Sequence, residues 1–297
     1  HIREAQAWRN VLAAAAFPCL LQLAFIFALP ESPRWLALHA DTPTFERAAD
    51  LLGLTPQEVS DLKEQAVTEH LAPQRDGVGA PTCIGVQLEA WRKHQRAFFL
   101  ALSISVFVTA AGTFCFTAYA YDILRLCGFA HPGHLLPIIG WAKIAGALIA
   151  VTLADVPWVG RRRLALAGAA LCTVCCVVLA TSVALPGSVP PVPTAAVFFA
   201  FVFAWNTGYG SVQFVAVLEI LPNEVRGTWS GHIWAMTGVL EVVLYQVFES
   251  LLFRSATWTF ALFAAVNLAA TLFAAFLMPD LAGHSLEEGA KQLQAEA

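Results

Sequence analysis

Charged residues are scarce in this sequence. Only 13% of its 297 residues are Asp, Glu, Lys or Arg, 58% are hydrophobic, and the formal net charge is −4. Ordinary soluble domains contain about 25% charged and about 45–50% apolar residues. The difference predicts a chain whose surroundings are partly lipid, so a lipid bilayer is an expected partner. No cluster of Lys and Arg of the kind that binds nucleic acid is present, and no nucleic-acid partner is expected.

Motifs for catalysis and for cofactors are also absent from the sequence. There is no Gly-x-x-x-x-Gly-Lys-Ser/Thr loop for ATP, so any transport is expected to run downhill or to be coupled to an ion gradient. Cys172, Cys175 and Cys176 lie in an apolar run, where cysteine behaves as a small hydrophobe. A membrane-embedded enzyme is the competing class, but no Ser/His/Asp cluster or metal-ligand spacing supports it. We therefore expect no enzyme, no cofactor and no metal site.

Seven apolar runs are long enough to cross a bilayer as helices, for which about 20 residues are needed. They are Asn10–Leu29, Ala97–Tyr121, Leu135–Ala154, Leu164–Leu185, Val192–Leu218, Thr228–Phe248 and Ser255–Met278. Helices are expected because lipid offers no hydrogen-bond partner to the backbone, and no run alternates like a barrel strand. The sequence therefore predicts an all-α, polytopic membrane protein.

The segment between the first and second runs, Glu31–Arg96, is polar and reads as a linker rather than a second core. Thr55 followed by Pro56 and Glu58 predicts the start of a short surface helix, with Thr55 as its N-cap. Placing this linker inside the cell puts twelve Lys and Arg on the cytoplasmic side and four outside. With Lys143 inside a run, these account for all 17. The positive-inside rule thus predicts a cytoplasmic linker and a cytoplasmic C-terminal tail.

Charged segments follow several of the helices on the predicted cytoplasmic side. They read Pro30-Glu31-Ser32-Pro33-Arg34, Asp155 with Gly160-Arg161-Arg162, Glu219 to Gly227, and Pro279-Asp280 with Ser285 to Glu288. Together these segments resemble the sugar-porter family of the major facilitator superfamily, from its sixth to its twelfth helix. The resemblance implies a C-terminal six-helix bundle with one preceding helix. The family's first five helices have no counterpart in this sequence. Because a six-helix bundle with one extra helix cannot form a two-sided cavity by itself, we expect this chain alone to be inactive.

The domain boundaries that follow from this resemblance are four. Residues 1–30 would be the last helix of the N-terminal bundle, 31–96 a cytosolic linker with short helices, 97–278 the C-terminal bundle and 279–297 a cytosolic tail.

The resemblance also implies a cytoplasmic gate. In this gate, carboxylates and arginines of the two bundles form ion pairs while the solute cavity is closed to the cytoplasm. The gate residues expected here are Glu31, Arg34, Asp155, Arg161, Arg162, Glu219 and Arg226. The seven-residue spacing of Glu219 and Arg226 predicts opposite charges about two turns apart at a helix end. Asp155 and Gly160 are further apart than is usual in the family. Tyr119 and Tyr121 resemble tyrosines that, in the family, close the outer gate at the end of the seventh helix.

The solute cavity departs from the family pattern. Sugar porters have two adjacent glutamines and an asparagine in the seventh helix, and the corresponding residues, counted from Gly112, are Val108, Thr109 and Phe114. In the tenth helix the matching segment is Gly210-Ser211-Val212-Gln213-Phe214, which supplies one amide and one aromatic ring. Thr237 is a further expected cavity residue.

Two intramembrane charges fall on positions where the family has asparagines in the eighth and eleventh helices, namely Lys143 and Glu241. A charge at membrane depth is costly and usually pairs or faces water. The alternatives are a structural ion pair between the two residues and contact of either with solute or a proton.

The function expected from the resemblance is secondary transport of a small polar solute, a sugar or sugar-like molecule, by uniport or by symport with H+. The alternatives are a carrier of organic ions on the same fold and a receptor that does not transport.

Overall fold

The structure is a computed structural model that describes residues 2–27, 29–39, 42–64, 83–154, 156, 158–185, 187, 189–222 and 225–279. The chain divides into two compact units, residues 1–83 and 84–297. Every regular element in the described ranges is a helix, and no strand occurs among them, in agreement with the predicted all-α class.

The first unit begins with helix α1, Ile2–Ile26, which contains Pro18. Its apolar part among the described side chains is Ala13–Ile26, shorter than the span predicted over Asn10–Leu29. Three short helices follow: α2, Pro33–His39, α3, Thr42–Leu51, and α4, residues 56–64. Leu36, Phe45 and Ala48 form their small hydrophobic core.

The predicted start of α4 is confirmed as a capping box. The backbone N–H of Glu58 donates to Thr55 Oγ1 at 3.3 Å, and the Thr55 backbone N–H donates to Glu58 Oε2 at 2.7 Å. Each side chain thus satisfies a backbone donor that the first helical turn leaves without a partner. The backbone N–H of Thr55 and then its hydroxyl donate hydrogen bonds to the Glu58 carboxylate, and these bonds hold the pKa of Glu58 below its usual value.

The second unit contains nine further helices and one 3₁₀ turn, Pro132–Leu135, among its described residues. The helices are α5 (Cys83–Ala110), α6 (Thr113–Ala118), α7 (Ala120–Leu126), α8 (Leu136–Leu153), α9 (Gly160–Ala184), α10 (Pro191–Thr207), α11 (Tyr209–Ile220), α12 (Arg226–Arg254) and α13 (Ala256–Phe276). Six stretches of this unit are long and apolar enough to cross a membrane, and they coincide with the last six predicted runs.

The boundary between the units differs from the predicted linker end at residue 96. Helix α5 begins at Cys83, well inside the predicted linker, because the segment before the membrane run continues as helix. His94 interrupts that helix with φ −127° and ψ 19°, so the backbone changes direction close to the predicted boundary.

Two of the six membrane-spanning stretches are discontinuous. One consists of the apolar part of α5 followed by α6, and the other of α10 followed by α11. The first break lies at Gly112, which has φ +91°. Only glycine adopts this left-handed conformation without steric cost. The second break lies at Gly208, between Thr207 and Tyr209.

Helix α9 packs against α10, α11 and α13 and forms the centre of the bundle. Helix α9 approaches the junction of α10 and α11 closely, where Gly168 faces Gly208. A Cβ atom on Gly168 would lie 2.9 Å from the carbonyl oxygen of Ala204. Small residues permit such backbone approach in membrane bundles, where packing replaces the hydrophobic effect between helices.

Helices α8 and α12 contribute least to this core. Only 17% of the most apolar window of each is buried, against 50% in the stretch of α9. Large apolar side chains such as Trp141 and Leu148 of α8, and Val239 and Val242 of α12, are more than half exposed. These two helices therefore present apolar faces that the described bundle does not cover.

Candidate transport site and charged helix ends

Arg161 and Glu219 form an ion pair inside the second unit. Arg161 lies in the first turn of α9, Glu219 lies in the last turn of α11, and Arg161 Nη1 donates to Glu219 Oε1. The two side chains are only 18% and 11% exposed. The pair therefore joins two helices of one bundle at a mostly buried position.

The neighbouring arginines bind backbone carbonyls of the same bundle. Arg162 Nε donates to the carbonyl oxygen of Ala274 at 3.2 Å, and its Nη2 donates to that of Ala275. Both carbonyls belong to the last turn of α13, where helix carbonyls lack helical partners. Arg226 Nε donates to the carbonyl of Leu221 at 3.1 Å, across the turn between α11 and α12.

The predicted two-turn relation between Glu219 and Arg226 is wrong, because the two residues do not share a helix. Helix α11 ends at Ile220, Leu221 is extended with ψ 135°, and α12 begins at Arg226. Glu219 instead pairs with Arg161, which is distant in sequence.

The remaining predicted gate residues lie elsewhere. Glu31 is exposed just before α2, in the first unit. The side chain of Arg34 and the whole of Asp155 lie outside the described residues, so their predicted pairings remain predictions.

The break at Gly112 is stabilised by two side chains that sequence reasoning missed. Trp205 Nε1 donates to the carbonyl of Val108 at 3.3 Å. Asn267 Nδ2, on α13, donates to the carbonyls of Ala111 at 3.1 Å and Phe263 at 2.8 Å. Asn267 is 1% exposed. An amide in an otherwise apolar span was the available signal, since an intramembrane polar residue requires a partner.

Replacing Asn267 by leucine is expected to destabilise the bundle by about 1–2 kcal/mol, because the Ala111 carbonyl then loses a buried donor. The measurement is thermal unfolding of the purified chain in detergent. Thr259→Val is the matched control on the same helix: Thr259 is equally buried, but its hydroxyl donates to Ser255 of its own helix end. Equal losses for the two variants would contradict this role for Asn267.

Four predicted cavity residues lie around the break itself. Val108 is fully buried and Thr109 is 7% exposed. A Cβ atom on Gly112 would lie 2.5 Å from the Phe263 ring, and Phe114 packs edge-to-face on Trp205 with ring centroids 5.4 Å apart. The structure places Val108 and Gly112 within the bundle interior rather than on an open face.

The other predicted cavity residues lie on α11 and α12. Gln213 is 8% exposed, whereas the neighbouring ring of Phe214 is 53% exposed. Phe214 contacts Trp234 of α12, with ring centroids 6.1 Å apart. Thr237 is buried, and its hydroxyl donates to the carbonyl of Ile233 at 3.0 Å.

Lys143 and Glu241 lie on α8 and α12, the two least buried of the six membrane-spanning stretches, and both residues are half-buried. The structure contains no ion pair between them: no nitrogen of a described Lys, Arg or His lies within 4.0 Å of the Glu241 carboxylate. Glu241 lies beside Tyr245, one turn further along α12. Of the two alternatives for these charges, the direct structural ion pair is therefore not formed in this structure.

The six membrane-spanning stretches form a helical bundle, which is the architecture of an integral multi-pass membrane protein. Two of the stretches are discontinuous, and discontinuous spanning helices are typical of transporters. The chain belongs to the sugar transporter family: the family described as "Sugar (and other) transporter" matches residues 1–293. The family and the fold are those of transporters rather than enzymes.

Curated relatives match over almost the whole chain. The putative metabolite transport protein YwtG of Bacillus subtilis (strain 168) is 26% identical over 291 residues, which covers 96% of this chain and 61% of the relative. The sugar transporter ERD6-like 15 of Arabidopsis thaliana is 29% identical, with 95% of this chain and 59% of the relative covered. The arabinose-proton symporter of Bacillus subtilis is 23% identical, with coverages of 95% and 59%. The chain thus spans about 60% of the length of such relatives.

Solved structures confirm the predicted major facilitator fold. A double tryptophan mutant of XylE superimposes with a TM-score of 0.76 at 20% identity, covering 96% of this chain and 59% of XylE. The proton:xylose symporter XylE bound to 6-bromo-6-deoxy-D-glucose gives a TM-score of 0.72 at 21% identity, with the same coverages.

Proposed function

We propose that the protein is a secondary transporter that moves a small polar solute, a sugar or sugar-like molecule, by alternating access. The relatives that match it include an arabinose-proton symporter and a proton:xylose symporter, which supports H+ as the coupling ion. We also propose that the linker and the C-terminal tail lie in the cytoplasm, because most of the Lys and Arg outside the spans lie on their side.

One observation carries this proposal. The charges in the middle of the spans, Lys143 and Glu241, lie on the two helices whose faces the bundle leaves uncovered. Charged side chains at membrane depth normally face protein or a water-filled cavity rather than lipid. Transporters bind their solute near the midplane, at the interface between two halves of the fold. The uncovered faces of α8 and α12 are therefore the proposed walls of the solute cavity.

Uptake by proteoliposomes tests the function. The protein, expressed from its complete coding sequence, is expected to show saturable uptake and counterflow of labelled xylose, arabinose or glucose. Lactate and choline serve as the charged comparison solutes. Binding of a sugar without counterflow would instead support a receptor, and counterflow of lactate or choline alone would support an organic-ion carrier.

The organic-ion alternative has one specific observation in its favour. The amide-rich pattern of sugar porters is replaced here by Val108, Thr109 and Phe114, while Lys143 and Glu241 supply charge. A buried hydroxyl-rich solute needs hydrogen-bond donors and acceptors together, and the amides that supply both are mostly missing.

Lys143→Asn and Glu241→Asn are each expected to reduce the kcat/KM of transport about tenfold, which corresponds to about 1.4 kcal/mol of lost interaction. Thr181→Ala is the control, because Thr181 is an exposed residue near the end of α9, a helix that does not form the proposed cavity walls. Unchanged transport in both charge variants would show that neither residue contacts the solute.

A further inference from the structure

Four exposed side chains surround the bend of α5 at His94. Leu88 and Arg92 are one helical turn apart before the bend, and Arg96 and Phe99 are one turn apart after it. Residues three or four apart share a face of a helix, so each arginine lies next to a large apolar side chain. Leu88 and Phe99 are each 53% exposed, and both arginines are exposed as well. The surface of α5 at this bend is therefore both apolar and cationic.

This part of α5 lies at the edge of the membrane. The spanning stretch Leu88–Ala118 contains 31 residues, whereas about 20 residues cross the hydrocarbon core. The continuous apolar run of this stretch begins only at Ala97. The first turns of the stretch therefore lie at the depth of the lipid headgroups, where tryptophan side chains such as Trp91 are enriched.

Aromatic contacts hold this segment on the bundle. The Trp91 ring packs edge-to-face on Phe98, Phe99 and Trp229, with ring centroids 5.3, 5.7 and 6.0 Å apart. Trp229 lies in the first turn of α12 and is 4% exposed. Because Trp91 precedes the bend and two of its partners follow it, the exposed residues before and after the bend belong to one ordered surface.

The charge of this surface is mainly positive. Residues 83–99 include Arg92, Lys93 and Arg96 but a single carboxylate, Glu89. Lys93 Nζ donates to Glu89 Oε1 at 2.6 Å, so the lysine engages the one carboxylate of the segment. The two arginines therefore determine the charge of the exposed face. A guanidinium group binds phosphate oxygens through parallel N–H donors, which an ammonium group does not provide.

We propose that this face of α5, formed by Leu88, Arg92, Arg96 and Phe99, binds an anionic phospholipid of the leaflet in which the helix begins. The arginines bind the phosphate group, and the two apolar side chains contact the acyl chains next to it. Under the proposed orientation this is the cytoplasmic leaflet, whose anionic lipids attract Lys and Arg close to the membrane. The inference goes beyond the proposed function, because it does not depend on which solute the protein carries.

Thermal unfolding in detergent tests the preference for an anionic headgroup. The protein is expressed from its complete coding sequence and titrated with dioleoyl-phosphatidylglycerol, or with dioleoyl-phosphatidylcholine, which has the same acyl chains and no net charge. A ligand that binds only the native state raises Tm with its concentration, so each titration gives an apparent Kd. Phosphatidylglycerol is expected to bind about tenfold more tightly than phosphatidylcholine. Added NaCl is expected to reduce this difference because it screens the charges.

Three variants assign the preference to this face. Arg92→Gln combined with Arg96→Gln is expected to abolish the preference for phosphatidylglycerol and to leave the Kd for phosphatidylcholine unchanged. Arg125→Gln is the matched control, since it removes an exposed arginine from the last turn of α7, and is expected to keep the preference. Leu88→Ser is expected to weaken both lipids alike, because it removes an acyl-chain contact and no charge.

Two results of these titrations would overturn the proposal. One is a double arginine variant that keeps the full preference for phosphatidylglycerol. The other is equal stabilisation of the wild-type protein by inorganic phosphate, because the site would then bind a free anion rather than a lipid.

Photolabelling locates the lipid without relying on stability. A phosphatidylglycerol with a diazirine in its acyl chain, placed in proteoliposomes of phosphatidylcholine, is expected to label a peptide within residues 83–99. Unlabelled phosphatidylglycerol is expected to compete with this label, and the double arginine variant is expected to lose it. Label confined to other helices would show that protein rather than lipid covers this face, and would overturn the proposal. No transported solute is used, so a failure of sugar uptake leaves this result unaffected.

Discussion

Replacing Gly208 by alanine is expected to destabilise the bundle by about 3 kcal/mol, the upper end of the usual cost of overpacking a core. An added Cβ atom would lie 2.4 Å from the carbonyl oxygen of Leu164 and 2.9 Å from the Cα atom of Gly168. Both are backbone atoms of α9, so no side-chain rotation relieves the contact and the two helices must separate. Helix α9 is central, and its displacement disturbs the packing of α10, α11 and α13 together.

Thermal unfolding in detergent measures this effect, and a loss of that size corresponds to a fall in Tm of about 6–12 °C. Gly231→Ala is the matched control, because Gly231 lies in α12, is exposed, and would have no heavy atom within 4 Å of an added Cβ atom. Alanine favours a helix interior over glycine by up to about 1 kcal/mol, so the control variant is expected to be neutral or slightly stabilised. Equal Tm values for the two variants would show that the α9–α10 approach is not tight.

Arg161→Ala is expected to have the largest effect on stability, a loss of about 3–5 kcal/mol. The variant leaves the Glu219 carboxylate, 11% exposed, without the arginine that neutralises it. The cost arises from an uncompensated buried charge rather than from the lost attraction alone. Glu219→Gln, which removes the charge and keeps the shape, is expected to cost less than Arg161→Ala.

Two further variants test whether the unpaired buried charge causes this loss of stability. Lys93→Ala removes a cation from the exposed pair with Glu89, whose side chains are 62% and 68% exposed, and is expected to cost at most about 1 kcal/mol. The double variant with Arg161→Met and Glu219→Leu is expected to recover most of the stability, because a buried pair replaced by apolar groups of similar volume is often neutral. If the double variant is no more stable than Arg161→Ala, the loss has a cause other than the unpaired charge.

The cytoplasmic gate shows what sequence reasoning could and could not predict. The charged segments identified Arg161, Arg162 and Glu219 as important, and all three make buried or half-buried contacts in the structure. Their partners were not predictable. The spacing argument for Glu219 and Arg226 assumed one continuous helix, and the extended backbone at Leu221 breaks it.

For the proposed solute cavity too, the sequence predicted some features and not others. Counting residues from Gly112 identified which residues replace the family's amides. Such a count does not show which face of a discontinuous helix a residue occupies. Val108 is enclosed because Trp205 reaches its carbonyl and the bundle closes around it. Phe214, one residue after the buried Gln213, remains half exposed beside Trp234.

The sequence by itself determined the class of this protein, its membrane-spanning stretches and its family resemblance. These depend on the length and apolar character of local segments and on motifs read along the chain, and six of the seven predicted spans are confirmed. Only the tertiary structure decided the pairing of Arg161 with Glu219, the hydrogen bond from the Asn267 amide to the carbonyl of Ala111 and the hydrogen bond from Tyr119 to Glu249. Those contacts depend on how the helices cross and where their backbones break, rather than on the local pattern of any one of them.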